Sequence, residues 1–231
     1  MRSTLIVFFV CVSAAAQAIL APIFSSPTST SLVAATPATQ SSGNTGITTA
    51  SISTVGATFE VAVEAGAGGV NCGTSSFSDS QSNTWVPMTV TGSGAHETLW
   101  YAFAPMTAAN QTFTTTCGFA TIAAAAFRGP SVAIRSSLSN NSLSSSVSSC
   151  ATGAITTAVN DLVVSGLNYS DTTVTTVSFG NGGGSPVSAI GHSSANYGGG
   201  LAWGLAVGVS TSETWTWTNN VGAGCTIASF Y

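Results

Sequence analysis

The chain carries very little charge. Only 4% of its 231 residues are Asp, Glu, Lys or Arg, and lysine is absent. Soluble domains usually carry about 25% charged residues. The basic residues are Arg2, Arg128 and Arg135. Because nucleic acids and anionic membranes are bound through clusters of basic side chains, we expect neither to be a partner.

The chain also lacks the apolar periodicity of helices. Ser, Thr, Asn and Gly supply its polarity, and these residues favour strands and turns. Hydrophobic residues make up 44% of the chain. That content and length suffice for one sizeable core, or at most two small ones.

Residues 1–18 have the pattern of a secretory signal peptide. Arg2 supplies one positive charge, residues 5–12 form a short apolar run, and residues 16–18 read Ala-Gln-Ala, a typical cleavage site. A retained N-terminal anchor is the alternative, although a spanning helix needs about 20 apolar residues. We therefore expect a secreted protein, extracellular or at the cell surface.

Cysteine usage agrees with export. Cys11 leaves with the signal peptide, and an even number remains, which predicts disulfides in an oxidising compartment. A zinc site is the alternative, but it needs closely spaced ligands. Consecutive cysteines among those that remain lie 33 to 75 residues apart, and they allow three pairings, of which we favour Cys72–Cys117 and Cys150–Cys225.

Short strand-like runs occupy residues 46–231, after a Pro-, Ser- and Thr-rich tail or linker at 19–45. Near residue 60 the alternation places Phe59, Val61 and Val63 on one face. Glu60 and Glu64 share the other face, where we expect them to keep the sheet soluble. Such period-two runs predict an all-β, antiparallel fold.

This region contains an internal sequence repeat. Similar segments follow residues 59–63, 99–104 and 111–116 about 102 to 103 positions later, and a segment similar to residues 120–125 follows 105 positions later. The order is kept, which favours two similar halves, about 57–128 and 160–231, of one β-sandwich. Chance similarity among low-complexity strands and two separate domains are the alternatives.

Several motifs resemble a known family. Residues 79–85 read Asp-Ser-Gln-Ser-Asn-Thr-Trp, 99–102 read Leu-Trp-Tyr-Ala, an Ala-rich run at 120–127 ends at Arg128, and 158–164 read Ala-Val-Asn-Asp-Leu-Val-Val. The ordered set resembles the β-sandwich modules of secreted and surface proteins of bacteria and archaea, and of phage structural proteins. The resemblance implies a jelly-roll-like sandwich without a catalytic site.

No set of residues predicts an enzyme. His192 lies in a partial nucleophile-elbow motif without the following helix or final glycine. His96 and Glu97 are adjacent and would point to opposite strand faces. Glu60 and Glu64 would lie about 13 Å apart, beyond the separation of glycosidase carboxylates.

No metal or cofactor site is predicted either. Residues 79–83 could form a calcium loop, but they lack the alternating acids and the terminal Glu. Asp79 and Asn83 can instead cap backbone groups of a turn. The glycine-rich residues 181–185 lack the lysine and the helix of a phosphate site.

Two features suggest how the surface is used. Asn110, Asn140 and Asn168 begin N-glycosylation triplets, so the protein can be a glycoprotein. Trp215 and Trp217 share one strand face and would stack on sugar rings if they are exposed. If they are buried, they belong to the core.

These patterns lead to two functional hypotheses. The first is an extracellular structural or adhesive protein, such as a filament or appendage subunit that associates with itself or with other surface proteins. It would assemble by donating a strand to a neighbour's sheet edge. The candidate donor residues are Gly46, Ile47, Thr48, Thr49, Ala50, Ser51 and Ile52. The alternative is a secreted carbohydrate-binding module that binds polysaccharide.

Overall fold

A computed structural model describes residues 30–41, 43–67, 76–91, 95–130, 133–140, 147–170, 177–181, 187–192 and 198–231. These residues form strands joined by turns and loops, without a helix. Every strand pair within the sheets is antiparallel. The expected all-β, antiparallel fold is confirmed.

The strands of the first half run from the N-terminal segment to Arg128. They are β1 (Ser31–Ala35), β2 (Thr39–Gln40), β3 (Ile47–Thr48), β4 (Phe59–Ala67), β5 (Phe77–Asp79), β6 (Val86–Thr91), β7 (Ala95–Phe103), β8 (Phe113–Thr115) and β9 (Thr121–Arg128).

The strands of the second half follow. They are β10 (Ile134–Asn140), β11 (Val147–Thr156), β12 (Leu162–Ser170), β13 (Val177–Asn181), β14 (Val187–His192), β15 (Gly198–Leu205) and β16 (Ser210–Phe230).

The strands form three sheets. A six-stranded sheet has the order β1-β9-β4-β7-β6, with β2 also pairing with β9. A seven-stranded sheet has the order β10-β16-β12-β15-β14, and β11 and β13 pair with the first part of the long β16. A three-stranded sheet has the order β3-β8-β5.

The pairing pattern of the first half recurs in the second. Phe59 pairs with Phe127 in the six-stranded sheet, and Leu162 pairs with Phe230 in the seven-stranded sheet. Leu162 lies 103 residues after Phe59, and Phe230 lies 103 residues after Phe127. The interval matches the spacing of the sequence repeat.

The two large sheets share a hydrophobic core. Phe59, Val61 and Val63 of β4 belong to one buried cluster with Leu162 and Phe230 of the seven-stranded sheet. The ring centroids of Phe59 and Phe230 are 4.6 Å apart. This is the apolar face that the alternation around residue 60 predicts.

The opposite faces of the large sheets are also covered. Ala62 and Trp100 of the six-stranded sheet pack with Phe113 of the three-stranded sheet. In the second half, Leu167 of β12 packs with Trp215 in the first part of β16. Each half thus has a core of its own beside the one that the halves share.

Part of the segment expected to be a tail or linker is instead sheet. β1 pairs with β9, where Leu32 lies opposite Phe127, and β2 pairs with the start of β9. The segment is short and interrupted by prolines, so its sequence carries no strand periodicity. Its pairing comes from the free edge of β9.

The disulfide between Cys150 and Cys225 is present and joins β11 to β16. That expectation is confirmed. Cys117 is also disulfide-bonded. Its expected partner, Cys72, lies outside the described residues, so that pairing stays a prediction.

Candidate functional site

All four glutamates of the chain are buried. Glu60, Glu64 and Glu97 have no exposed surface, and Glu213 is 1% exposed. The expectation that Glu60 and Glu64 face solvent is wrong, because the three-stranded sheet and its flanking residues cover that face of β4. Glu97 is likewise a core residue.

Glu64 is held by three donors from the surrounding strands. The Trp100 indole Nε1 donates to Oε2 at 3.0 Å, and the Ser76 hydroxyl donates to the same oxygen at 2.8 Å. The Thr115 hydroxyl donates to Oε1. Since Trp100 lies on β7 and Thr115 on β8, this carboxyl group ties the six-stranded sheet to the three-stranded sheet.

Glu60 ends a chain of polar side chains. Gln111 Nε2 donates to Glu60 Oε2 at 2.9 Å, and Gln111 Oε1 accepts from the Thr54 hydroxyl at 2.5 Å. Glu60 Oε1 has no hydrogen-bond partner within the described part of the chain. Burial, reinforced by the nearby charge of Asp79 and opposed by the Gln111 hydrogen bond, raises the pKa of Glu60 to about 7.

Glu97 lies between the two large sheets. The Thr226 hydroxyl of β16 donates to Glu97 Oε1 at 2.5 Å. Burial raises the pKa of Glu97 to about 8, and the Thr226 hydrogen bond opposes this rise. A carboxyl group with that pKa is protonated at neutral pH.

Gly166 makes room for the Glu97 carboxyl group. A Cβ at position 166 would lie 2.1 Å from Glu97 Oε1 and 2.8 Å from the Thr226 hydroxyl. Any side chain there would displace both polar groups. This requirement is not visible in the sequence, because β7 and β12 meet only through the tertiary fold.

Glu213 is the most isolated of the four. Neither of its carboxyl oxygens has a hydrogen-bond partner among the residues that the structure describes. Burial raises its pKa to about 7. Its backbone is anchored to β11, since Glu213 N donates to the Thr152 hydroxyl at 3.1 Å.

The described hydrogen-bond partners of these carboxyl groups are hydroxyl, amide and indole groups. In the described regions, no group of three or more His, Cys, Asp or Glu residues could hold a metal ion. Glu64 and Glu97 each link two sheets through their hydrogen bonds.

Residues 79–83 form a capped turn. Asp79 Oδ1 accepts from Gln81 N at 2.6 Å, and Asp79 Oδ2 accepts from Trp85 Nε1 at 2.6 Å. Asn83 binds Met106 through both ends of its amide. Asp79 and Asn83 therefore satisfy backbone and indole groups, as the capping interpretation predicts.

The two tryptophans considered for ligand stacking lie in the core. Trp215 is fully buried and donates from Nε1 to the Ser165 hydroxyl at 2.9 Å. Trp217 is 6% exposed and donates to Val147 O at 2.9 Å. Their rings pack against the seven-stranded sheet, so they have no free face for a sugar.

The three glycosylation triplets differ in accessibility. Asn110 is exposed in a turn. Asn168 is buried, and its Oδ1 accepts from Gly224 N at 2.7 Å, so the folded protein cannot carry a glycan there. Asn140 ends β10, and its side chain lies outside the description, as do the side chains of His96 and His192.

The candidate donor strand pairs within its own chain. Ile47 and Thr48 form β3 and lie opposite Thr115 and Thr114 of β8. Ile52 forms a bridge with Gln111. Residues 46–52 were expected to add a strand to a neighbouring molecule. In this structure they pair with the three-stranded sheet of their own chain, where β3 is an edge strand.

The sequence did not predict the ion pair between Arg135 and Asp161. Arg135 Nε and Nη2 donate to the two carboxylate oxygens of Asp161 at 2.5 Å and 3.2 Å. The guanidinium group of Arg135 also lies 4.5 Å from the ring centroid of Tyr231. Arg135 and Asp161 are 26 positions apart, so the sequence gives no local signal of this contact.

Comparison of the chain with known protein families, curated proteins and solved structures finds no match. In the described ranges, no helix has the length and apolar character needed to cross a membrane. A functional argument therefore depends on the contacts, burial and charges of this chain.

Proposed function

We propose that this protein is an extracellular structural or adhesive protein. One observation carries the proposal: within the described residues, Arg128 and Arg135 are the only charged side chains that are not buried. The described acidic side chains are buried, and Glu60, Glu64, Glu97, Asp79 and Asp161 accept hydrogen bonds from neighbouring residues. Low surface charge favours association between protein molecules.

We propose a secreted, jelly-roll-like β-sandwich built from two similar halves. Its support is the shared core of the two large sheets, the recurrence of pairing after 103 residues, and the Cys150–Cys225 disulfide. Disulfides persist in oxidising compartments, in agreement with the signal-peptide pattern.

The assembly that we propose is exchange of the N-terminal segment between copies. Among the described strands, β1, β2 and β3 pair only with β8 and β9, and all three are short. The same registers could be filled by the segment of a neighbouring molecule. Such an exchange adds association without requiring a new interface.

A cysteine pair tests this exchange. The hydroxyls of Thr48 on β3 and Thr114 on β8 are 2.8 Å apart and accessible. One tagged population carries Thr48→Cys and a second, untagged population carries Thr114→Cys. After the two are mixed, unfolded, refolded and oxidised, exchange predicts covalent heterodimers that are seen by non-reducing electrophoresis.

Two controls make the experiment decisive. The double variant in one chain should form an internal cross-link whenever β3 has the observed register. Mixing Thr48→Cys with Thr156→Cys, an exposed position of the other half, should give no heterodimer. An internal cross-link in the double variant together with no heterodimer in the first mixture would refute strand exchange.

The carbohydrate-binding alternative has less support. Trp100, Trp203, Trp215 and Trp217 are at most 9% exposed, so they offer no stacking platform. Binding of the purified protein to a polysaccharide array, with loss of binding in a surface variant, would restore that alternative. An absence of binding to every polysaccharide on the array would agree with the structural proposal.

A further inference from the structure

Three buried side chains of the first half bring a hydroxyl, a carboxamide and a carboxyl group together. Thr54, Glu60 and Gln111 have no exposed surface. The Thr54 hydroxyl donates to Gln111 Oε1 at 2.5 Å, and Gln111 Nε2 donates to Glu60 Oε2 at 2.9 Å. The amide group of Gln111 therefore lies between a hydroxyl nucleophile and an acid.

The hydroxyl oxygen of Thr54 lies close to the carbonyl carbon of Gln111. A carbonyl bond is about 1.2 Å long, so Gln111 Cδ is at most about 3.7 Å from a Thr54 Oγ1 that is 2.5 Å from Oε1. Reacting atoms in a near-attack arrangement are about 3–3.5 Å apart. A rotation of the amide about the Cγ–Cδ bond brings the two atoms into that range.

Backbone hydrogen bonds fix both residues. Ile52 N donates to Gln111 O, and Gln111 N donates to Ile52 O, each at 2.9 Å. Thr54 N donates to Ala108 O at 2.9 Å, and Ala108 N donates to Thr54 Oγ1 at 3.1 Å. Because the fold orients the two groups in advance, their reaction would be accelerated as an intramolecular one.

Glu60 is placed to move a proton. Its Oε2 accepts from the amide nitrogen, and its Oε1 has no hydrogen-bond partner in the described part of the chain. Burial raises the pKa of Glu60 to about 7. Hydrogen bonding by Gln111 and Thr54 opposes this rise, and the charge of Asp79 adds to it. Near neutral pH the carboxyl group can therefore accept a proton and return it.

The second half has a matching threonine in different surroundings. Thr157 lies 103 residues after Thr54, and its hydroxyl oxygen is 3.3 Å from the hydroxyl oxygen of Thr211. Val163 lies 103 residues after Glu60 and cannot accept a proton through its side chain. Thr157 is therefore an internal control for any reaction of Thr54.

We propose that Thr54 and Gln111 form an intramolecular ester bond. Thr54 Oγ1 attacks Gln111 Cδ while Glu60 takes the hydroxyl proton, and a C–O bond forms. Glu60 then gives the proton to the amide nitrogen, the C–N bond breaks, and ammonia leaves. The products are one ester and one ammonia molecule, so the step needs no oxidant, reductant or further reactant.

The surroundings favour release of ammonia and retention of the ester. Val55 and Asn110, which adjoin the two reacting residues in the sequence, are exposed. Ammonia therefore has a short path to solvent, where it becomes ammonium and can no longer attack the ester. The ester would stay buried like the side chains that form it, which protects it from hydrolysis.

The bond would close the first half covalently. Thr54 precedes β4 and Gln111 precedes β8, and the two residues are 57 positions apart. A covalent closure restricts the unfolded chain, as the Cys150–Cys225 disulfide does in the second half. This inference goes beyond the proposed function and does not rest on it, because the reacting residues lie outside β1, β2 and β3.

Peptide mass spectrometry tests for the bond. The mature chain is produced with its disulfides in a host without N-glycosylation, reduced, and digested with pepsin. We expect the peptide that contains Thr54 to be joined to the one that contains Gln111, with the loss of one ammonia molecule. No such joined peptide should involve Thr157.

Hydroxylamine identifies the bond as an ester. It should separate the two peptides, leaving a free hydroxyl on Thr54 and a hydroxamate at position 111. The hydroxamate is heavier than the amide of Gln111 by one oxygen atom. An amide that never reacted would keep its mass under the same mild treatment.

Matched variants assign the roles of the reacting groups. Thr54→Val removes the nucleophile and should give no joined peptide. Thr54→Ser keeps the hydroxyl and should give it, which keeps the test informative if the valine variant does not fold. Glu60→Gln keeps the side-chain shape and cannot accept the proton. When unfolded chains are refolded and sampled over time, this variant should form the ester about 10²–10⁴-fold more slowly, with unchanged circular dichroism.

Three results would contradict the proposal. A folded original chain that keeps a free Thr54 and the intact amide of Gln111 after prolonged incubation would overturn it. A joined peptide of the same mass from folded Thr54→Val would show that another group attacks Gln111. Equal rates of ester formation in the original chain and Glu60→Gln would show that Glu60 does not move the proton.

Discussion

Glu97 and Thr226 join the two halves of the protein through a hydrogen bond inside the core. The Thr226 hydroxyl donates to Glu97 Oε1 at 2.5 Å, and both side chains are buried. The residues are 129 positions apart. Burial of Glu97 disfavours its ionised form and raises its pKa to about 8.

The first prediction concerns pH. The pKa is about 7 for Glu60 and Glu213 and about 8 for Glu97 in the folded protein, against 4.5 ordinarily. Above pH 4.5 the unfolded chain releases these protons while the folded chain keeps them. The free energy of unfolding should therefore fall between pH 4.5 and pH 8, and level off above it.

For Glu60, the shift from 4.5 to about 7 corresponds to at most roughly 3 kcal/mol. Denaturant titrations at pH 4.5, 6, 7 and 9 would measure the trend. A free energy of unfolding that rises steadily from pH 5 to pH 8 would contradict it.

The second prediction isolates Glu97. Glu97→Gln keeps an oxygen acceptor for Thr226 and cannot ionise. The variant should have a flatter pH dependence between pH 4.5 and pH 8 and should be more stable than the original chain at pH 9. Denaturation of both proteins at pH 5 and pH 9 gives the comparison, and equal slopes would show that Glu97 does not titrate in this range.

The third prediction concerns the hydroxyl partner of Glu97. Thr226→Val removes the donor but keeps the shape of the side chain, so the buried carboxyl group loses its hydrogen bond. We expect a loss of about 1–3 kcal/mol at pH 5. Thr156→Val, at an exposed position of β11, is the matched control and should change stability by less than about 0.5 kcal/mol.

The fourth prediction uses two glycines. A methyl group at Gly166 would meet Glu97, Thr226 and Val63 within 2.9 Å, whereas a methyl group at Gly208 would meet nothing within 4 Å. Gly166→Ala should destabilise the fold by about 1–3 kcal/mol or more, as overpacking does. Gly208→Ala should be close to neutral, and thermal unfolding of the two variants separates them.

The fifth prediction concerns glycosylation. In a host that glycosylates secreted proteins, Asn110→Gln should remove one glycan mass. Asn168→Gln should remove none, because Asn168 is buried and accepts a hydrogen bond from Gly224 N. Mass spectrometry of both secreted variants measures this, and a glycan at Asn168 in folded protein would contradict the observed burial.

The sequence by itself determined the class of the fold and indicated that cysteines pair. Alternation around residue 60 identified the inward face of Phe59, Val61 and Val63, because successive strand residues point to opposite sides. The cysteine count indicated disulfides but allowed three pairings, and of these the favoured Cys150–Cys225 bond is present. The inward face follows from the local geometry of a strand. The disulfide could be anticipated because the cysteines allow only three pairings.

The tertiary structure alone decided what covers each face. Period-two alternation places Glu60 and Glu64 together but cannot tell whether that face meets water or a second sheet. The partners that bury them, such as Gln111 and Thr115, are 51 residues away in each case. The docking of β1 on β9 and the space that Gly166 leaves for Glu97 are decided in the same way, because contacts between distant strands are not encoded in any single run of residues.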